Sequence, residues 1–205
     1  MHKINNQSNE NEINKTNNDG NKNNEKNNKK NNDKANNGNE ENIIETLVFP
    51  RQDSGEKLCA ADFVAPKEQG KDTFGIFVTT CGDGVNQTAK ELREKGEYLK
   101  SHLLQVLAIE SAEALAEIIH KKIRELWGIN DPPLTKQEIF QAKYLGIRLS
   151  YGYPACPDLN EQAKIWKLLN PDQIGVNLTE GMMMEPEASV SALVFHHPQG
   201  KYFNV

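Results

Sequence analysis

The sequence has little of what marks several large classes of protein. Its three cysteines, Cys59, Cys81 and Cys156, are odd in number and widely spaced along 205 residues. No CxxC pair is present, so a disulfide framework and a structural zinc site are both poorly supported. We therefore expect free thiols that serve as small apolar side chains in the reducing cytosol, which predicts a cytoplasmic protein.

Long apolar runs and an excess of basic charge are also missing. No stretch approaches the roughly 20 apolar residues that a membrane-spanning helix needs. The N-terminus has no apolar segment of the kind found in export signals. The 24 Lys and Arg against 29 Asp and Glu give a formal net charge of −5, whereas nucleic-acid binders concentrate basic charge. The sequence thus predicts neither a membrane nor a nucleic-acid partner.

Common catalytic signatures are absent as well. There is no GxxxxGK[ST] phosphate loop, no GxGxxG turn, no HExxH pair and no GxSxG elbow. The missing glycine-rich turn argues against the common Rossmann-type methyltransferase. His196 and His197 are adjacent on a predicted strand, so their rings should point to opposite faces and not share a metal ion. We predict no metal site and assign no catalytic residue.

The composition divides the chain into two parts. Residues 1–42 contain 18 Asn, 7 Lys and 7 Asp or Glu, with almost no large apolar side chains. Such a segment cannot bury enough surface to offset its conformational entropy, so we predict a disordered low-complexity tail. This tail is either a tolerated appendage or a linker. Residues 43–205 are predicted to form one domain of ordinary size.

Apolar periodicity in the second part predicts a mixture of helices and strands without βαβ alternation. We therefore predict an α+β fold: a single mixed domain with a twisted antiparallel sheet and flanking helices. Strands are predicted at 74–80, 174–179 and 189–196, with a final strand or extended tail at 202–205. Helices are predicted at 87–107, 111–127, 135–144 and 160–169.

One glycine- and proline-rich stretch carries the best candidates for ligand binding. Arg148 precedes a loop in which Gly152 permits close backbone approach, and Tyr153 is kept extended by the proline that follows it. An arginine beside such a loop can bind a carboxylate through paired hydrogen bonds. Asp62, a charge within an apolar stretch, could bind an ammonium group. Together they suit an amino-acid-like ligand, although a structural Arg–Asp ion pair explains the same two residues.

Residues 148–157 match the pattern RxxxGYPACP, which resembles the activation domain of cobalamin (vitamin B12)-dependent methionine synthase. Residues 58–64 resemble the LADFV segment of that family, and residues 112–120 resemble its AEAxAExxH helix. Further matches lie at 178–180, 186–191 and 197–203. The resemblance covers roughly residues 47–205.

The resemblance implies a role in repairing an enzyme. Domains of this family bind S-adenosylmethionine and support reductive reactivation of cob(II)alamin, which forms occasionally during turnover. An electron from flavodoxin or a flavoprotein reductase and a methyl group from S-adenosylmethionine restore methylcobalamin. The chain would then be part of a methyltransferase of methionine biosynthesis. Cobalamin would be bound by a partner domain or chain and not by this one.

The resemblance also assigns cofactor-binding residues. Asp62 would hold the amino group of S-adenosylmethionine, and Arg148 would bind its carboxylate. The remaining assigned residues line the site or pack against the ligand: Glu113, Gly152, Tyr153, Tyr202 and Phe203.

The chain departs from the family pattern in several places. Ala142 stands where some members have an acidic residue, and Phe203 replaces a tyrosine. A further N-terminal helical region and the homocysteine, folate and cobalamin modules of the family have no counterpart within these 205 residues. We therefore expect a reactivation module that acts in trans or as a fragment of the full enzyme. A non-catalytic S-adenosylmethionine-binding regulator and a non-functional gene fragment are the alternatives.

Overall fold

The computed structural model describes residues 43–205. The predicted tail, 1–42, lies outside the described residues, so the proposed division of the chain stays a prediction. The elements, in chain order, are β1 (Gly75–Thr80), α1 (Val85–Glu94), α2 (Tyr98–Leu126), α3 (Lys136–Phe140), β2 (Ile147–Leu149), α4 (Gln162–Leu169), β3 (Asn177–Leu178), β4 (Met184–Glu185) and β5 (Ser189–Phe195). Short 3-10 segments lie at Ala60–Phe63, Lys67–Gln69, Leu159–Glu161 and Pro171–Ile174.

The main sheet has three antiparallel strands in the order β1-β5-β2. Phe77 of β1 pairs with Ala192 of β5, and Arg148 of β2 pairs with Val194 on the other side. Strands β3 and β4 form a separate two-stranded ribbon. Helices beside an antiparallel sheet confirm the predicted α+β class.

The central strand β5 is buried on both faces. Val190 and Val194 pack with Ala112 and Ala116 of α2 in one core cluster. Leu193 belongs to the cluster on the other face of the sheet. The predicted alternation of this strand is confirmed, because successive side chains of a strand point to opposite faces.

Helix α2 approaches the sheet through small side chains. Ala108, Ala112 and Ala116, four residues apart, are buried on its inner face. Its outer face is also apolar near the amino end, where Leu99, Leu103 and Leu107 are all more than half exposed. Among residues 43–205, no helix, α2 included, is both long enough and apolar enough to cross a membrane.

The predicted break between the two long helices was wrong. We placed it at 108–110, but α2 is continuous there and the break falls at Lys95–Glu97. Gly96 has a φ of +76° and its N–H donates to the Arg93 carbonyl, an arrangement that ends helices at glycine. Residues 107–111 contain no such residue, and Ala108 packs inward, so the helix continues.

Other parts of the prediction also need correction. Strand β2 was not foreseen, and the strand predicted at 174–179 is reduced to β3 because Gly175, at a φ of +74°, ends a preceding 3-10 turn. Residues 202–205 have no strand pairing, which leaves the extended tail of the two predicted alternatives. The capping box of Thr135 and Glu138 is confirmed, but its helix ends at Phe140 and not at Tyr144.

Candidate functional site

A cavity of about 350 Å³ opens where β2, the loop after it and the segment 202–204 meet helix α2. Its volume is in the range of small-molecule sites. Five of the seven predicted site residues line it together: Glu113, Arg148, Tyr153, Tyr202 and Phe203. Leu149, Ser150, Pro154, Ala155 and Asn204 complete the lining.

Arg148 reaches the cavity because of strand alternation. Its neighbours Ile147 and Leu149 point into the core, so Arg148 points to the opposite face, toward α2. Its Nη2 donates to Glu117 Oε1 at 2.9 Å and lies 3.4 Å from Glu113 Oε2. The arginine side chain is 14% exposed.

These three groups give the site a definite charge pattern. Glu113 and Glu117 are one helical turn apart and therefore share a face of α2. Both contact the same nitrogen of Arg148, whose Nε and Nη1 make no hydrogen bond within residues 43–205. Two formal carboxylates around one guanidinium leave an excess of one negative charge, with part of the guanidinium still free to donate.

Asp62 does not line the cavity and is already paired. Its Oδ2 and Oδ1 accept from Arg51 Nη1 and Nη2 at 2.7 and 2.6 Å, and Oδ2 also accepts from the Cys59 backbone N–H at 3.0 Å. The hydrogen bonds from the Arg51 guanidinium lower the pKa of the Asp62 carboxyl. An Asp62–Arg148 ion pair, the alternative left open by the sequence, does not form, because both residues have other partners.

The segment around Asp62 is nevertheless joined to the cavity wall. Phe63 packs edge-on against Phe203, with ring centroids 6.1 Å apart. Gln52 Nε2 donates to the Asn204 carbonyl at 2.5 Å. Asp62 itself does not line the cavity, but its chain neighbour Phe63 and nearby Gln52 contact two residues that do.

Gly152 turns the chain and does not itself line the cavity. It has a φ of +85°, which disfavours other residues, and its N–H donates to the Cys156 carbonyl at 2.9 Å. The turn leaves the Tyr153 ring 61% exposed at the cavity. The prediction that this loop aims Tyr153 outward agrees with the geometry.

The extended segment after Lys201 closes the other side. Tyr202 lines the cavity, and its hydroxyl lies 3.1 Å from the Tyr144 hydroxyl and accepts from the Arg148 backbone N–H at 3.4 Å. The Val205 N–H donates to the Pro154 carbonyl at 3.1 Å, which ties this segment to the loop.

Sequence reasoning missed Glu117 and Tyr144. Glu117 makes the shorter contact to Arg148, and its spacing of four from Glu113 is a signal that could have identified it. Tyr144 has no comparable signal, because it approaches Tyr202 from a segment 58 residues away.

The cysteines, His196 and His197 have ordinary structural surroundings. All three cysteines are free, and burial raises the pKa of the Cys156 thiol to about 12. His196 contacts Asp72 at 2.9 Å, whereas His197 packs against Phe63. No group of three or more His, Cys, Asp or Glu suited to a metal ion occurs in the described part of the chain.

The fold and cavity thus define a small α+β domain with a charged site of small-molecule size. Residues 18–205 match the family model described as the vitamin B12 dependent methionine synthase activation domain. The chain belongs to this family.

Known relatives agree with this assignment. The chain is 38% identical over 169 residues to the methionine synthase of Mycobacterium tuberculosis (strain ATCC 25618 / H37Rv), covering 77% of the chain and 14% of that protein. It is 36% identical to that of Mycobacterium leprae (strain TN), with the same coverage. A crystal structure of the MetH reactivation domain bound to AdoHcy matches with a TM-score of 0.73 and 35% identity, over 79% of this chain and 52% of that one. The chain therefore spans only a small part of the length of its curated relatives.

Proposed function

We propose that this domain binds S-adenosylmethionine for the reductive remethylation of cob(II)alamin in a cobalamin-dependent methionine synthase. The observation that carries the proposal is the cavity in which Arg148, Glu113, Tyr153 and Tyr202 converge. The solved domain of similar fold is described as bound to AdoHcy, the demethylated form of the same ligand.

The charges of the site suit this ligand. S-adenosylmethionine has one carboxylate, one ammonium and one sulfonium, and so a net positive charge. Its carboxylate would accept from the free side of the Arg148 guanidinium, and the excess negative charge of Glu113 and Glu117 would favour the two cationic groups. Asp62, whose neighbour Phe63 packs against Phe203 of the cavity, would contribute to binding the ammonium group.

The task of these residues is to position the ligand. S-adenosylmethionine supplies the methyl group when bound. Arg148 would fix the amino-acid end, while Phe203 and the turn at Gly152 would shape the opposite wall. The exposed Tyr153 ring at the cavity lies where a partner carrying the corrin could approach. Correct placement of reacting groups is itself a large contribution to rate.

The partners follow from the same reasoning. No cobalamin module is present in residues 43–205, so cobalamin would come from another part of a methionine synthase or from a separate chain. The electron would come from flavodoxin or a flavoprotein reductase. The family match and the charged cavity support this proposal, which includes action in trans.

Calorimetric titration of the full chain with S-adenosylmethionine tests ligand binding. Replacing Arg148 by Ala removes a charged hydrogen bond to the carboxylate and should weaken binding by roughly 1.5–3 kcal/mol, about 10- to 150-fold. Arg93→Ala is the matched control, because Arg93 donates to Ser101 between α1 and α2 and does not line the cavity. Equal affinity of both variants, each with an intact thermal transition, would contradict the proposed site.

A further inference from the structure

A buried polar network lies behind the cavity, on the carboxyl-terminal half of α2. Arg124, only 3% exposed, donates from Nε and Nη2 to Asp131 Oδ2 at 3.1 and 2.6 Å. The other carboxylate oxygen of Asp131 accepts from the Leu145 backbone N–H at 3.1 Å. This ion pair therefore ties the segment that follows α3 to the helix.

Tyr144 lies at the centre of this network. The Arg124 guanidinium carbon is 4.4 Å from the centroid of its ring, and the His120 ring meets it edge-on at 4.9 Å. Burial raises the pKa of the Tyr144 hydroxyl, so this group keeps its proton and can donate it in a hydrogen bond. With its ring held on two sides, the hydroxyl has a fixed direction.

That hydroxyl meets Tyr202 at the wall between two cavities. Tyr202 lines the Arg148 cavity and also a second one of about 400 Å³, which Glu117, Phe140 and Tyr144 help to form. The Tyr202 hydroxyl contacts Tyr144 at 3.1 Å and the Arg148 backbone N–H at 3.4 Å. Other contacts hold residues 203–205, whereas these two hydroxyl contacts act on the Tyr202 side chain itself.

We propose that Tyr144 is a positioning residue, which holds the Tyr202 ring in place as the wall of the ligand cavity and keeps its hydroxyl on the Arg148 backbone. Only the identity of the ligand rests on the proposed function. The geometric part of the inference concerns this chain alone. It can therefore be tested with and without S-adenosylmethionine.

The ligand-free test is hydrogen exchange of the Arg148 backbone amide, followed by NMR. In Tyr144→Phe the ring stays but the hydroxyl that holds Tyr202 is lost, so exchange should accelerate roughly 2- to 10-fold, as for loss of one neutral hydrogen bond. Tyr202→Phe removes the acceptor itself and should accelerate it at least as much. Unchanged exchange in Tyr144→Phe would overturn the inference.

Tyr151 provides the matched control for the exchange measurement. Its hydroxyl is also buried but has no hydrogen-bond partner in residues 43–205, and its ring lies in the core away from the cavity. Tyr151→Phe should leave the exchange of the Arg148 amide unchanged. An equal acceleration there would mean that the effect reports general loosening, and the inference would fail.

The ligand-dependent test is a double-mutant cycle measured by titration with S-adenosylmethionine. We expect Tyr144→Phe to weaken binding about 2- to 10-fold, and to weaken it little further when Tyr202→Phe is already present. Fully additive effects would show that Tyr144 does not act through Tyr202 and would overturn the inference. If the unaltered chain does not bind the ligand, the proposed function fails, while the exchange measurement still decides the role of Tyr144.

Discussion

At the scale of the residue, Asp62 is paired with Arg51 and yet keeps one position at which it can accept a further hydrogen bond. Arg51 takes one hydrogen bond position on each carboxylate oxygen, and the Cys59 N–H takes another on Oδ2. A carboxylate has about four lone-pair positions, so one remains for an ammonium group. The side chain is 37% exposed, so it is not shut off from solvent.

Two substitutions separate a binding role of Asp62 from a structural one. If Asp62 binds the ligand ammonium, Asp62→Asn should weaken binding of S-adenosylmethionine by roughly 1.5–3 kcal/mol. Arg51→Ala should leave affinity unchanged or raise it, because it removes a competing cation from the carboxylate. Calorimetric titration of both variants gives the comparison. A similar loss in both would show that the pair only stabilises the turn after Arg51, and the ligand role of Asp62 would have to be abandoned.

At the scale of the element, α2 makes three different sets of contacts along its length. Its alanines pack on the sheet, Glu113 and Glu117 contact Arg148, and His120 with Arg124 packs against Tyr144. Within each set the residues are four apart, so they lie on the same side of the helix. Movement of α2 would therefore alter the sheet, the site and the network together.

His120 makes the stability of this element depend on pH. Burial lowers its pKa to about 3, the positive charges of Arg124 and Arg148 act in the same direction, and Asp131 opposes them. In the unfolded chain the pKa is about 6.5. Between pH 6.5 and 3 the unfolded state therefore binds a proton that the folded state does not. The contribution of His120 to the free energy of unfolding should therefore fall by about 1.4 kcal/mol for each pH unit between 6.5 and 3.

Urea unfolding at pH 7, 6 and 5 measures this contribution. His120→Leu has no titrating ring, so its stability should decline less steeply than that of the unaltered chain over this range. His102→Leu, an exposed position on the same helix, should keep the original pH dependence. Parallel curves for the unaltered chain and His120→Leu would contradict the assignment of this dependence to the buried ring.

At the scale of the whole molecule, the sequence predicted some features because they are local. The alternation of β5 and the capping box before α3 depend on neighbouring residues, and both are present. Five residues that the resemblance assigned to the site come from separate segments of the chain and line one cavity. Choices among distant partners could not be predicted, because pairing of Asp62 with Arg51 and of Arg148 with Glu117 depends on which chain segments approach. The helix boundary at Gly96 could have been predicted, because glycine is a local signal for a helix end. We missed it because we gave more weight to the apolar pattern of the flanking residues.

The proposed action in trans is a property of the whole molecule and requires the cavity to face a partner. Consider a methionine synthase that lacks its own activation domain and is held in the cob(II)alamin state. Added chain, S-adenosylmethionine and reduced flavodoxin should together restore its activity, with loss of the cob(II)alamin absorption band. Arg148→Ala should fail at ligand concentrations that saturate the unaltered chain, whereas Arg93→Ala should succeed.

This assay also separates the proposal from its two alternatives. A chain that binds S-adenosylmethionine but restores no activity would be a regulator, since its cavity would be intact and its coupling to cobalamin absent. A chain that does neither would be a fragment without function. Restoration that depends on Arg148 requires both an occupied cavity and a productive approach of the partner. Among the three hypotheses, only the reactivation module predicts that result.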